Sequence, residues 1–335
     1  MATIRDVAKL AEVSVATVSA VINKDSDVNV SDRLTKKVED AIDKLNYRPN
    51  RIARSLSKKE NYTLGYIVPS ITNEFFPQLA KVVEDTAFKK NYGVYLCNTE
   101  GSVKRASYYL DSLIENRVAG IITTLTWEIE KINFINNILN QNIPIVGLAG
   151  TRNNTEIDTV IPDDLEGGRL AAEHLIKKGY KNIGFIGIKD SQTTKVRLKG
   201  FYQAFLETDK SCNKNYIKFC NSFSNKEFKD IYRKMITEYP EIDAICVYND
   251  LMASGIMDVS NEMGYKIPED IALIGFDDSI ASFTFPKMTT MRIPKDRMAE
   301  LAMEMLFRRI NGDKGDPLQI KITPELIERE TTSNH

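Results

Sequence analysis

The chain has 335 residues, 42% hydrophobic and 27% charged, with a formal net charge of −1, a length and composition that predict two or three globular domains rather than a fibrous or disordered protein. Its longest apolar runs, VAGII (118–122) and IALIGF (271–276), fall far short of the roughly 20 residues that span a bilayer. The polar start MATIRDVAKL carries no signal-peptide core, so no membrane partner and a cytoplasmic location are expected.

Charge is unevenly spread. Residues 1–60 hold twelve Lys and Arg against nine Asp and Glu, and the tract RPNRIARSLSKK (48–59) has five basic residues and no acid. A small basic module on a larger acidic body is the distribution of a nucleic-acid binder. Its first element, IRDVAKLA, has Thr3 as an N-cap with Asp6 three positions on, a capping box. After the turn EVS, Ser14 caps a second helix in SVATVSAVIN (14–23). Val18, Val21 and Ile22 share a face that should bury against the first helix; Val15, Ala16, Thr17, Ser19 and Ala20 face elsewhere. Helix, short turn and helix is the helix-turn-helix plan, whose second helix enters the major groove by its N-terminal end. A third helix from Ser31 places Leu34, Val38, Ile42 and Leu45 at helical steps to close a three-helix core. Beyond it, Pro49 suits a first helical turn and Ile52 and Leu56 stand four apart. So short a helix forms only with support, which makes 48–60 a candidate hinge.

TIRDVAKLAEVSVATVSAVIN followed by LNYRPNRIARSL resembles the headpiece and hinge of the LacI/GalR family of bacterial transcriptional repressors, over nearly all of residues 2–57. The resemblance implies that Val15, Ala16 and Ala20 face base edges and that Ser14, Thr17 and Ser19 reach phosphates, which set register without reading sequence. It also implies that hinge helices of two subunits pair in the minor groove, where Leu56 wedges between central base pairs. Thr3, Asn23, Tyr47, Asn50, Arg51, Ala53 and Arg54 complete the expected DNA-contact set. Relatives often carry Arg where this chain has Ala20, so a bidentate guanine contact worth ~1–3 kcal/mol of discrimination is missing. Either a neighbour such as Asn23 supplies it, or specificity leans on the deformability of a pseudo-palindromic operator.

From residue 62 apolar runs alternate with amphipathic stretches: YTLGYIV, YGVYLCN, VAGIITT, IPIVGLA, NIGFIG, DAICVY and IALIGFD, with EFFPQLAKVVEDTAFKK and GGRLAAEHLIKKG between them. These read as buried parallel strands with crossover helices in two similar runs, 62–160 and 162–288. Ligands of such sheets sit beyond the C-terminal strand ends, where this chain places PSITNEFF, TTLTW, Asp163-Asp164, IKDSQTTKVR, Asn249-Asp250 and Asp277-Asp278. The segments DDLEGGRLAAEHLIKKGYKNIGFIG, YNDLMASGIM, IPEDIALIGFDD and PKMTTMRIP make the body similar to the same family's core, so the resemblance covers almost the whole chain. The implied fold is an α/β core of two doubly wound parallel-sheet lobes, periplasmic-binding-protein-like, behind an all-α helix-turn-helix headpiece.

The expected divisions are a headpiece at 1–47, a hinge at 48–60 and a core at 61–335. Lobe 1 is expected at about 61–160 plus 290–320, and lobe 2 at about 162–288 plus 321–335. By position in the family, an effector between the lobes would meet Phe75 and Phe76 on one side and Ser191, Thr193 and Arg197 on the other, with Asn249, Asp277 and, more weakly, Asp163; Trp127 could stack on a sugar or pack at the surface or between the lobes. Arg197 could instead pair with a carboxylate of its own chain, Phe75 and Phe76 could be core, and Asp163 could be a helix cap. Asp250 and Asp278 read as structural.

Paired carboxylates invite a hydrolase reading, but adjacent residues usually point apart. Neither GxxxxGK[ST] nor GxSxG occurs, and the only histidines are His174 and His335. The expectation is therefore not an enzyme, with no catalytic residues, cofactor or metal, but an operator-binding repressor controlled by a small molecule, most simply a sugar or sugar derivative. The alternatives are a sugar-binding protein without a transcriptional role, or a regulator controlled by a purine or a phosphoprotein. No heptad tail follows the core, so a homodimer is expected. The four cysteines, Cys97, Cys212, Cys220 and Cys246, have neither metal-ligand nor disulfide spacing and read as reduced, buried thiols.

Overall fold

The computed structural model describes residues 2–23, 30–48, 61–125, 129, 132–150, 156–208, 210–222 and 224–333. The chain divides into two compact units, 1–61 and 62–335. The expected contacts at Asn50, Arg51, Ala53, Arg54 and Leu56, and that at Trp127, lie outside the described residues.

In the first unit, α1 (Ile4–Ala11), α2 (Val15–Asn23) and α3 (Asp32–Lys44) follow the expected plan. Thr3 and Asp6 form the capping box, the Thr3 amide donating to Asp6 at 2.8 Å and the Asp6 amide to the Thr3 hydroxyl at 3.3 Å. Glu12 ends α1 in the left-handed region, φ 56°, which turns the chain sharply enough for α2 to start at Val15. Val7, Val18 and Val38 are fully buried among Ala8, Ala11 and Ala41, each valine contributing about 1.5–3 kcal/mol. Leu34 departs from expectation. It is 36% exposed, and Ala41 takes a core place instead; helical spacing defines a stripe but not how far along the helix its partners reach.

The body is built from β1 (Thr63–Val68), α4 (Phe75–Lys89), β2 (Gly93–Asn98), α5 (Val103–Glu115), β3 (Gly120–Leu125), α6 (Phe134–Asn140), β4 (Ile145–Gly150) and β5 (Asp158–Pro162). Then follow α7 (Asp164–Lys177), β6 (Ile183–Ile188), α8 (Gln192–Glu207), β7 (Ile217–Cys220), α9 (Asn225–Glu238), β8 (Ala244–Val247), α10 (Asp250–Met263), β9 (Ala272–Asp277) and β10 (Thr289–Arg292). The chain closes with α11 (Lys295–Ile310), β11 (Gln319–Ile322) and β12 (Glu325–Ile327). Two six-stranded sheets result, ordered β2-β1-β3-β4-β5-β11 and β7-β6-β8-β9-β10-β12. Every pairing is parallel except β10 with β12. Helices cover both faces of each sheet, and each lobe has cores of its own.

The chain crosses between sheets after β5, after β10 and after β11. This shifts two expected boundaries. Residues 290–292, expected in lobe 1, belong to β10 of the second sheet, while 321–322 complete β11 of the first. Strands β5, β7, β10, β11 and β12 were not among the expected runs. They are only three to five residues long and partly polar (DTVIP, IKFC, TTMR, QIKI, ELI), too short for a period to register. The return of the chain into lobe 1 is anchored by buried Asp158, which accepts from Arg309 Nε and Nη2 at 2.8 and 2.9 Å and from the Leu318 amide at 2.7 Å. Of the cysteines, Cys97, Cys220 and Cys246 are buried and Cys212 is half-buried, all four with free thiols.

Helices α7 and α8 cross with backbones in contact, because glycines occupy the crossing. A Cβ on Gly168 would lie 2.0 Å from the Arg197 carbonyl oxygen, and one on Gly200 would lie 1.9 Å from that of Leu165. Gly200→Ala is expected to lower stability by about 1–3 kcal/mol through overpacking. Gly93→Ala, whose added methyl meets nothing within 4 Å, should sit within about 1 kcal/mol of wild type. Urea unfolding midpoints compare them directly, and similar midpoints would mean the crossing can open at no cost.

Candidate functional site

In the headpiece, Ser14 caps α2 by accepting from the Thr17 amide at 3.0 Å, with the Thr17 hydroxyl 2.9 Å from its own. This holds the first turn so that Val15, 42% exposed, and exposed Ala16 stand out from it. Thr17 and Ser19 are half-buried. Ala20 is a correction. Expected to face base edges, it is 8% exposed; a methyl stops at the helix wall, where the long side chain common in relatives would reach past its neighbours. Tyr47 is half-buried against the headpiece core. Asn23 closes α2. Exposed Arg5, Lys9, Arg33, Lys36, Lys37, Lys44 and Arg48 stand among exposed Asp6, Glu12, Asp32, Glu39, Asp40 and Asp43, so the described headpiece surface is of mixed charge.

In the body, the strand-end loops gather around Arg197. Helix α8 starts at Ser191, which caps it by accepting from the Thr194 amide at 3.3 Å. Thr193 lies half-buried in its first turn. One and a half turns on, Arg197 is buried: Nε donates to Asp164 at 2.7 Å and Nη1 to the Tyr248 carbonyl at 2.6 Å. Its guanidinium stacks on Phe276 with 3.8 Å to the ring centroid. Arg197 therefore pairs with its own chain, and only the Nη2 edge has no bond to a described residue. Asp164, which sequence reasoning set aside in favour of Asp163, is the buried partner. Asp163 caps α7, accepting from the Glu166 amide at 3.2 Å.

Asp277 ends β9 beside this pair, 6% exposed. Its φ of 101° lies in the left-handed region that favours glycine, the kind of strain that persists only where surrounding structure holds it. Its carboxylate accepts no hydrogen bond from a described residue, and burial pushes its pKa up to about 8, with Asp250 adding to the rise and Arg197 and Lys295 opposing it. Asn249 caps α10 through Oδ1, which accepts from the Met252 amide at 2.9 Å, leaving Nδ2 without a bond to a described residue. Asp250 and Asp278 are structural, as expected. The first accepts from the Ser279 amide at 2.8 Å and from the Thr290 hydroxyl at 2.6 Å; the second accepts from Arg292 and Arg329, each at 2.8 Å. Burial pushes Asp250 up to about 6.

On the lobe 1 side Phe75 belongs mainly to the core, 6% exposed, while Phe76 packs edge-on against it at 5.1 Å and stays half-buried. Sequence reasoning missed Lys295. Its buried ammonium donates to the Asp277 carbonyl at 2.5 Å and lies 5.8 Å from the Phe75 ring. At the start of a charged amphipathic helix, PKDRMAEL, it reads like a solvated residue, and only tertiary structure distinguishes it. Among the described residues, no three His, Cys, Asp or Glu side chains are grouped to hold a metal ion, and no helix is long and apolar enough to cross a membrane.

Comparison with known proteins follows the same division. Residues 3–50 match the bacterial regulatory proteins of the lacI family, and residues 172–332 match the periplasmic binding protein-like domain. The chain is 35% identical over 333 residues to the ribose operon repressor of Escherichia coli (strain K12), covering 98% of this chain and 99% of that one. It is 34% identical over 340 residues to the HTH-type transcriptional repressor PurR of Aliivibrio salmonicida (strain LFI1238), covering 99% of both. Its fold is similar to the lac repressor dimer bound to operator and the anti-inducer ONPF, with a TM-score of 0.86, 26% identity and 99% of each chain covered.

The buried Asp277 has a pH signature. With its folded pKa raised to about 8 from 3.8, the folded chain binds this proton more tightly than the unfolded chain does. Its contribution therefore favours folding below about pH 4 and declines as pH rises towards 8. Between pH 5 and 8.5, wild type should lose at least about 1 kcal/mol more than Asp277→Asn in denaturant unfolding. Parallel pH profiles would mean that Asp277 is solvated in the folded chain.

Proposed function

The chain belongs to the lacI family of bacterial regulatory proteins, and from that premise we propose that a small molecule held between its two lobes by Asp277, Asn249 and the free edge of Arg197 sets its grip on operator DNA. It is a DNA-binding transcriptional repressor under effector control, and its family is one of regulators rather than enzymes. Acting on operator DNA, it works in the cytoplasm.

One observation carries the effector reading: a largely buried, strained carboxylate at Asp277 that accepts no hydrogen bond from a described residue and lies beside the cations Arg197 and Lys295. A carboxyl held there without a hydrogen bond from a described residue leaves its acceptor sites open to a ligand hydroxyl. An acceptor at Asp277, donors at Asn249 Nδ2 and Arg197 Nη2, and the half-buried Phe76 ring suit a polyhydroxy compound, so a sugar or sugar derivative is the effector class. A purine base is the second reading, favoured by the Phe76 ring as a stacking face. Ser191 and Thr193, at the head of α8, border the same strand ends.

The proposed operator is pseudo-palindromic and is met by a homodimer. Apolar surface supports the second copy: Phe283 and Phe285 are 87% and 94% exposed on the loop before β10, and Tyr95 and Leu96 stand exposed on the edge strand β2. Rings this bare on a monomer mark an interaction surface. Lobe movement around the effector then sets the spacing of the two first lobes and so whether the hinges, through Leu56, can pair in the minor groove. Only unequal affinity of effector and operator for the lobe arrangements produces that coupling.

A thermal-shift panel of pentoses, hexoses and purine bases identifies the effector, since a ligand at ~100 times its dissociation constant stabilises by ~2.7 kcal/mol. With it in hand, Asp277→Asn should weaken effector binding about tenfold or more, ~1.4 kcal/mol, and leave operator binding intact. Leu56→Gly should do the reverse. Loss of both activities in both folded variants would sink the separate-site reading. Phe285→Asp should move sedimentation from dimer to monomer at micromolar concentration; an unchanged dimer would place the interface elsewhere.

A further inference from the structure

The strap after β9 is gripped by lobe 1. Lys295 Nζ donates to the Asp277 carbonyl at 2.5 Å and to that of Asp278 at 3.4 Å, while Gln78 Nε2 donates to the Ser279 carbonyl at 3.3 Å. Three consecutive carbonyls of lobe 2 are thus held by side chains from α11 and α4, two helices that pack on each other over the first sheet. Two of the three residues have positive φ, 101° at Asp277 and 49° at Asp278. From the lobe 2 side the strap is pinned by Asp250 on the Ser279 amide and by Arg292 and Arg329 on Asp278. It is therefore the place where a change in the angle between lobes must break or remake specific hydrogen bonds.

Lys295 is also the first residue of α11. Twelve residues on, about 18 Å along the axis, Phe307 packs edge-on against Tyr92 at 5.2 Å, and Tyr92 lies 5.3 Å from Tyr62. Tyr62 immediately precedes β1 and is separated from the 48–60 segment by Asn61 alone. Between its ends α11 is buried along one face by Met298, Ala302, Met303 and Leu306, and Gly120 lets it lie close to β3, where a Cβ would come within 2.9 Å of Leu306. A helix so seated moves with lobe 1 as one body.

We propose that α11 is the rod that reports the effector cleft to the hinge: Lys295 holds the Asp277 strap at one end, and Phe307, through Tyr92, holds the start of the core at the other. Lys295 and Phe307 are positioning residues in this scheme. The proposal rests on the reading of Asp277 as an effector contact, because the rod needs something at the strap to report. It takes its physical content from a contact that can switch, the three carbonyls, rather than from mere alignment between two places.

Hydrogen exchange on the ligand-free full-length chain tests the rod without any effector. Lys295→Met should raise exchange about tenfold in 277–284 and also in 62–66, with the rest of the second sheet unchanged; Lys295→Arg, which keeps the donors, should restore both. A rise confined to the strap makes Lys295 a local clamp and overturns the rod. No rise at either place shows that Lys295 does not hold the strap, and overturns it as well. On the pseudo-palindromic duplex selected by wild type from a random library, Lys295→Met and Phe307→Leu should each shift operator Kd about fivefold or more, and the double variant no further than the larger single shift. Multiplying effects would mean separate routes and overturn the rod. Thermal midpoints within a few degrees of wild type show that the leucine variant is folded. Should wild type select no duplex at all, the repressor reading falls, while the exchange result in 62–66 still decides the rod.

Discussion

The crossing of α7 and α8 is the constraint from which the rest of the proposed effector site follows. With glycines at 168 and 200 the two backbones touch, and the touch puts Asp164, at the start of α7, within 2.7 Å of Arg197 in the middle of α8. Neither charge is tolerable alone at that depth. Removing one partner of such a pair costs about 3–5 kcal/mol, so the crossing and the pair stabilise one another's geometry. Phe276 then provides the floor under the guanidinium, which fixes the level at which β9 ends. Asp277 is the next residue along. A site of this kind is aimed by packing, not by the flexibility of its side chains.

The charges around the strand ends do not balance. Asp164, Asp250 and Asp277 are buried against Arg197 and Lys295. Asp164 has Arg197; Asp250 has a hydroxyl and an amide; Lys295 gives its protons to carbonyls. The surplus falls on Asp277, whose pKa burial pushes up to about 8, so that it holds a proton to higher pH than a solvated carboxylate does. Such a carboxyl can donate to a ligand oxygen as well as accept from a hydroxyl. Strain and burial of a titratable group in one residue both cost stability, and proteins retain that combination chiefly where function needs it.

Architecture was largely legible from patterning. The headpiece helices follow from cap residues and spacing, and seven of the long strands from apolar runs, because those signals are local. What escaped was tertiary. The choice between Asp163 and Asp164 turns on which one faces a residue 33 positions away; both look alike in a DD pair, and the one nearer the strand proved to be a cap. Arg197 as a self-paired cation, Lys295 as a buried one and Ala20 as a buried methyl are likewise invisible to periodicity. They depend on what an adjoining element brings against them. Leu34 failed for a related reason, since a stripe gives direction around a helix but not the extent of its cover.

The headpiece and the effector site bear on one another through an energetic argument. Under the proposed reading, base recognition by α2 would be weak in this chain: exposed Val15 and Ala16 would offer only methyl contacts, and the buried Ala20 less still. Losing a bidentate contact lowers discrimination by ~1–3 kcal/mol at that position, so on the proposed reading a larger share of specific affinity would arise from deforming the operator, which would demand paired hinges. Pairing is the quantity that lobe geometry would govern. A repressor that read bases strongly would keep much of its hold after its hinges parted, whereas one that reads them weakly would let go. On that proposal, sparse contacts on α2 would be no defect of recognition but a condition for control: they would leave the operator affinity within reach of a coupling free energy of about 1–3 kcal/mol, the range such switches ordinarily supply.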